Sequence, residues 1–156
     1  MKKVLIVSSL GGHLVQMKNF YLNSPDNVSW ILVTESRVGN MKVDWFQGKM
    51  YKIFSHKKGI LNYFGLLINV FFALKILFQE RPDFICSTGS HTAIPFFVVA
   101  KLFNIHTVFI LSYARRRSRA KSADVIYYLA NTFVVQWEEA LKNYPKALYL
   151  GSSLYL

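Results

Sequence analysis

A chain of 156 residues has the length of one ordinary domain with a single core, and its 53% hydrophobic and 16% aromatic content excludes a disordered polymer. Lys and Arg number 19 against 8 Asp and Glu, a formal net charge of +11. That excess leaves the fold open but calls for an anionic partner: nucleic acid, a phospholipid surface or a phosphorylated substrate.

In chain order, "MKKVLIVSS" starts like a signal peptide, but its apolar run is short and glycines follow at once, so no secretion signal is expected. Val4 to Val7 instead reads as a strand buried on both faces. A helix is predicted over about His13–Leu22, a second strand over Val28–Thr34 and a third over Met50–Phe54. A long apolar helix follows over about Ile60–Gln79. A strand around Phe84–Cys86 leads into a second glycine-bearing loop, and "TAIPFFVVAKLF" is helical. "HTVFIL" is a strand, Ala123–Ala130 a short helix, "TFVVQW" a strand, "EEALKNY" one or two helical turns, and "ALYLG" a last strand. Strands that alternate with helices throughout predict an α/β fold. The expectation is a single Rossmann-like, doubly wound parallel sheet over residues 1–156. The lone cysteine, Cys86, excludes an internal disulfide and reads as a small core residue of a reducing compartment.

In such a sheet, ligands bind beyond the carboxyl ends of the strands. "SSLGGH" lies at one such end. Ser9, Gly11 and Gly12 would let backbone approach a ligand, and the helix behind them offers free N–H groups suited to diphosphate. An isolated pair of glycines serves equally well as a plain turn. The second loop repeats the arrangement with Ser87, Thr88, Gly89, Ser90 and His91, and two such loops on one edge favour a cleft. Neither G-x-G-x-x-G nor G-x-x-x-x-G-K-[ST] occurs, so no dinucleotide or ATP cofactor is expected. His13, His56, His91 and His106 have no metal-ligand spacing, so no metal site is expected. His13, at a helix start beside a phosphate site, is the first candidate for a general base and Glu35 the second.

"ARRRSRAK" places Arg115, Arg116, Arg117, Arg119 and Lys121 together with no acid among them, and the four arginines are expected to contact phosphate or lipid headgroups. A nucleic-acid-binding role fits the charge but finds no recognisable motif, and the aromatics do not interleave with the arginines. The long apolar helix is about 28 Å, nearly a bilayer's span. The regular alternation on both sides of it favours a crossover helix that keeps an apolar outer face. With Lys57 and Lys58 just before it, that face would rest on an anionic membrane surface.

"VSSLGGHLVQM", "VTES", "STGSHTAIP" and the tail "FVVQWEEALKNYPKALYLG", with Gln136, Trp137, Tyr144, Pro145 and Gly151 in order, together resemble the Alg14-like family. The resemblance implies the membrane-associated, acceptor-side subunit of a two-part GT-B glycosyltransferase of capsule or exopolysaccharide synthesis. Its fold would correspond to the N-terminal half of a GT-B enzyme. It implies a separate Alg13-like subunit supplying the C-terminal half, a nucleotide sugar donor, and a polyprenyl-diphosphate-linked saccharide as acceptor. The location implied is peripheral, on the cytoplasmic face of the cell membrane. Leu111 stands where family members often carry an acid, so no role is carried over to that position, and no membrane anchor is expected at the N-terminus. A non-catalytic scaffold for the partner is the alternative.

Overall fold

The computed structural model describes residues 1–35, 43–53 and 61–151, the side chains of 61–63 aside. One seven-stranded sheet runs through it, built from β1 (Lys2–Ser8), β2 (Val28–Glu35), β3 (Lys49–Ile53), β4 (Phe84–Ser87), β5 (His106–Ile110), β6 (Thr132–Val135) and β7 (Leu148–Tyr149). The order is β3-β2-β1-β4-β5-β6-β7 and every neighbouring pair is parallel. The α/β, Rossmann-like expectation therefore holds. Leu5, Ile6 and Val7 are fully buried on both faces of β1, which is why the sequence there is continuous rather than alternating.

Among the described residues four α-helices join the strands: α1 (Gly12–Leu22), α2 (Leu61–Glu80), α3 (Ala93–Leu102) and α4 (Lys121–Leu129). Crossovers between parallel strands are right-handed, so the direction of travel decides the face. The step from β1 to β2 puts α1 on one face, where Leu14 and Met17 pack with Ile6, Leu32, Cys86 and Ile110. Travel turns round after β3, and α2, α3 and α4 fall on the other face. There Ile76, Leu77, Phe96, Phe97 and Ile126 pack with Leu5, Val7, Phe109 and Phe133. The reversal lies between β1 and β4, and the carboxyl ends of those two strands open a crevice.

Boundaries moved where side chains found backbone partners. β6 stops at Val135 because Gln136 and Trp137 turn to hydrogen-bond the carbonyls of Leu111 and Tyr113. Glu138–Lys142 forms a 3-10 helix, and α4 begins at Lys121, two residues ahead of its predicted start. Within the third predicted strand, Phe54 lies outside the described residues. α2 ends where Arg81 takes a left-handed conformation, φ 45°, and Pro82 forbids another turn.

Helix α2 is apolar on its outer side as well as on the side that packs into the core. Gly65, Asn69, Ala73, Ile76, Leu77 and Glu80 face inward, while Phe64, Leu67, Ile68, Phe71, Phe72 and Phe78 face out. Among the described residues no helix is long and apolar enough to cross a membrane.

Candidate functional site

The loop after β1 needs a left-handed residue to turn the chain into α1, and Gly11, at φ 90°, supplies it. The carbonyl of Gly11 then accepts the N–H groups of Leu14 and Val15, which starts the helix. His13 sits in its first turn. The loop after β4 comes up beside it: Thr88 donates its hydroxyl to the His13 carbonyl at 3.1 Å. Gly89, at φ 144°, lets that loop pass directly under the imidazole. A Cβ at position 89 would lie 2.4 Å from Cε1 and 2.8 Å from Nδ1 of His13. The glycine is there because the ring is there.

Burial is the largest influence on His13. With the nearby Arg115 cation it outweighs a hydrogen bond with the Thr88 backbone and holds the imidazole below its ordinary pKa of 6.5. At neutral pH the ring is uncharged and able to accept a proton.

The second loop is locked from inside. Ser87 donates its hydroxyl to the Gly89 carbonyl, and the Gly89 N–H returns to Ser87 Oγ, both at 3.2 Å. Ser90, in a left-handed conformation at φ 81°, accepts the Thr92 N–H and donates to Thr92 Oγ1. Thr92 in turn donates to Glu35 Oε1. Glu35 is buried at the tip of β2, so its carboxylate ties that strand tip to the start of α3.

A third segment, the basic loop after β5, closes the cleft. It is held from behind by the chain that follows β6. Gln136 Nε2 donates to the Leu111 carbonyl at 2.8 Å, Trp137 Nε1 to that of Tyr113 at 2.7 Å, and Asn143 Nδ2 to that of Arg117 at 3.1 Å. Arg116 binds Glu139 through Nε and Nη2 and stacks on the Trp137 ring, 4.8 Å from its centre. Arg119 pairs with Asp124 at 3.1 Å, and Tyr144 donates to the same carboxylate oxygen.

These three segments enclose a cleft of about 440 Å³. Ser9, His13, Thr88, Gly89, Ser90, His91, Arg115 and Arg119 all line it. Gly11 and Gly12 form the turn beside it, Ser87 braces it from below, and Glu35 stands behind the wall. Arg116 is committed to Glu139, Arg117 lies against the same carboxylate at 3.9 Å, and neither lines the cleft. Lys57 and Lys58 lie outside the described residues. Lys121, the last cation of the basic run, also lines it, and two further polar residues of the lining, Ser112 and Ser122, did not stand out in the sequence. Their signal was positional, since they follow a parallel strand's carboxyl end as the glycine loops do.

A larger groove, about 490 Å³, runs beside α1 over the sheet face that α2, α3 and α4 leave bare. Val4, Phe20, Trp30, Val108 and Ile110 line it, together with Cys86. Burial pushes the Cys86 thiol up to about 12, which makes it an inert core group. The titratable and cationic groups His13, His91, Arg115, Arg119 and Lys121 converge in the smaller cleft.

The family model described as "Oligosaccharide biosynthesis protein Alg14 like" matches residues 4–153. The chain is 29% identical over 94 residues to the UDP-N-acetylglucosamine transferase subunit ALG14 of Rattus norvegicus, a match covering 56% of this chain and 44% of the relative. The protein of that name from Homo sapiens is 28% identical over the same shares. The chain thus spans less than half the length of the curated relatives it matches. Among solved structures, Acinetobacter baumannii MurG superposes with a TM-score of 0.72 at 15% identity, over 86% of this chain and 41% of that one. A UDP-GlcNAc 2-epimerase from Methanocaldococcus jannaschii gives 0.72 at 15% identity, over 97% and 46%. At that identity the likeness is one of fold.

Proposed function

This chain belongs to the Alg14-like family, and from that premise we propose that it is the acceptor-binding subunit of a two-component glycosyltransferase. The donor is a nucleotide sugar, with UDP-N-acetylglucosamine the first to try, because the curated relatives are named for it. The acceptor is a saccharide on a polyprenyl diphosphate, and a separate subunit supplies the rest of the donor site. The chain works at the cytoplasmic face of a membrane, held there peripherally, in polysaccharide synthesis.

The observation that carries this reading is the convergence of a neutral histidine, a glycine-bedded loop and two arginines at the reversal point of the sheet. His13 takes the proton from the acceptor hydroxyl. The hydroxyl oxygen forms a bond to the anomeric carbon of the donor. The bond from that carbon to the nucleotide's phosphate oxygen breaks, and the nucleotide leaves with the electron pair. Arg115, Arg119 and the N–H groups opening α1 hold diphosphate charge. Glu35 positions the β4–α3 loop through Thr92, and Gln136 with Trp137 positions the arginine loop. Lys57 and Lys58 are assigned to phosphate or headgroup contact, as are Arg116 and Arg117 where their pairing leaves donors free.

The test is transfer by this chain purified together with its partner subunit. Transfer requires both chains, and Arg115→Gln raises KM for the lipid-linked acceptor about tenfold, the scale of one charge-assisted contact. Full transfer by the partner alone would remove the enzymatic role.

A further inference from the structure

We infer that the amino end of α4 is an anion subsite, which seats a phosphoryl group against its free N–H groups, the Ser122 hydroxyl and the cations beside it. α4 lies on the path from β5 to β6, so it starts at the carboxyl edge of the sheet. Its first turn opens into the cleft, where Ala120, Lys121, Ser122 and Ala123 are all lining residues. The cap position holds Ala120, whose extended backbone, φ −131° and ψ 130°, suits a cap but whose side chain has no oxygen to offer. The Ala120 carbonyl accepts the Asp124 N–H at 2.9 Å, the first bond of the helix. The N–H groups of Lys121, Ser122 and Ala123 meet no acceptor among the described residues.

A helix start without a cap is unremarkable where water reaches it. Ser122 makes this one different. It is only 8% exposed, it lines the cleft, and its hydroxyl has no hydrogen-bond partner among the described residues. A buried hydroxyl left unpaired costs free energy, and this one stands among backbone N–H groups that are unpaired as well. All of these groups can donate at once, so together they call for a guest with several acceptor oxygens.

Charge fixes the sign of that guest. Arg115, Arg119 and Lys121 line the same cleft, and no carboxylate does. Asp124, the acid in the first turn of α4, is engaged by Arg119 Nε at 3.1 Å and by the Tyr144 hydroxyl at 2.8 Å. Lys121 pairs with no carboxylate among the described residues. A phosphoryl group, with its cluster of charged oxygens, fits an open helix start of this kind. The subsite is separate from the glycine turn that opens α1. Transfer from a nucleotide sugar to a saccharide on a lipid diphosphate brings two diphosphates into one cleft, and their like charges need separate counter-charges. That the guest is one of these two diphosphates rests on the proposed transfer reaction; the anion subsite itself rests on the side chains.

The test is calorimetric titration of the full chain with inorganic pyrophosphate, beside kinetics of the reconstituted pair. Wild type binds pyrophosphate, and Ser122→Ala binds it about tenfold more weakly, the scale of one hydrogen bond to a charged group. Ala120→Ser supplies the missing cap oxygen without a change of charge. It raises Tm, as capping does, and weakens pyrophosphate binding severalfold by occupying the same N–H groups. If Ala120→Ser misfolds, Ser122→Ala decides alone. Wild-type pyrophosphate affinity in Ser122→Ala, or a raised Tm with unchanged affinity in Ala120→Ser, would overturn the inference. In the pair, Ser122→Ala raises KM for the substrate whose diphosphate sits there. A rise for the lipid-linked acceptor alone assigns the subsite to the acceptor, and a rise for the nucleotide sugar alone assigns it to the donor. If pyrophosphate binding behaves as stated while the pair transfers no sugar, the transfer reading fails and the anion subsite stands. If the pair transfers sugar while Ser122→Ala alters neither KM nor pyrophosphate binding, the subsite fails and the transfer reading stands.

Discussion

His13 and Gly89 form one unit, because a Cβ at position 89 would lie 2.4 Å from the ring, well inside van der Waals contact. Gly89→Ala adds a methyl group into the imidazole at a backbone angle that L-residues avoid, at a cost of about 1–3 kcal/mol. We expect the variant to fold with a lowered Tm and lose transfer as His13 is displaced. A Tm drop without loss of transfer would separate the two residues. His13 also sets two pH dependences. Its pKa is lowered on folding, so above 6.5 both folded and unfolded chains hold it neutral and it costs nothing. As pH falls through 6.5 the unfolded chain gains a proton that the folded one resists, and stability declines until the lower folded pKa is passed. His13→Gln flattens that part of the stability-versus-pH curve, measured by urea unfolding across the range. In kcat/KM profiles the acid limb of the wild-type pair falls below pH 6.5, because transfer needs the unprotonated ring.

At the scale of elements, three loops far apart in sequence become one wall, and what joins them was only partly legible beforehand. Both glycine loops and His13 stood out because local chemistry marks a strand-to-helix turn. The role of Glu35 did not, since its partner Thr92 lies 57 residues away and only the β2-β1-β4 order brings them together. The arginine run looked uniform in sequence. In the fold Arg116 is engaged by Glu139 away from the cleft, while Arg115, and Arg119 with its Nε held by Asp124, line the cleft. The family-like residues Gln136 and Trp137 turn out to hold the backbone of that run. Trp137→Phe keeps the stacking surface but removes the bond to Tyr113, a loss of about 1 kcal/mol. It should raise KM for the acceptor and leave the acid limb of the pH profile in place; a shifted limb would contradict a positioning role. Glu35→Gln should lower kcat by about tenfold or less and likewise leave the limb unmoved, whereas a general base would remove it along with at least about 100-fold in rate.

For the whole molecule, the doubly wound sheet was readable from alternation alone, because parallel strands buried on both faces leave long apolar runs between helices. The two faces were not readable, since sidedness depends on the direction of each crossover. That sidedness gives the protein one bare sheet face beside α1, one apolar outer plate on α2, and a cationic edge between them. The central claim is that this edge is where sugar is transferred, with His13 as the group that receives the proton. The most direct measurement is the transfer rate of the reconstituted pair with wild-type chain against His13→Gln, with partner binding and vesicle flotation followed in the same preparations. The account predicts a fall of at least about 100-fold in transfer with both kinds of binding intact. Transfer by His13→Gln at the wild-type rate would contradict it.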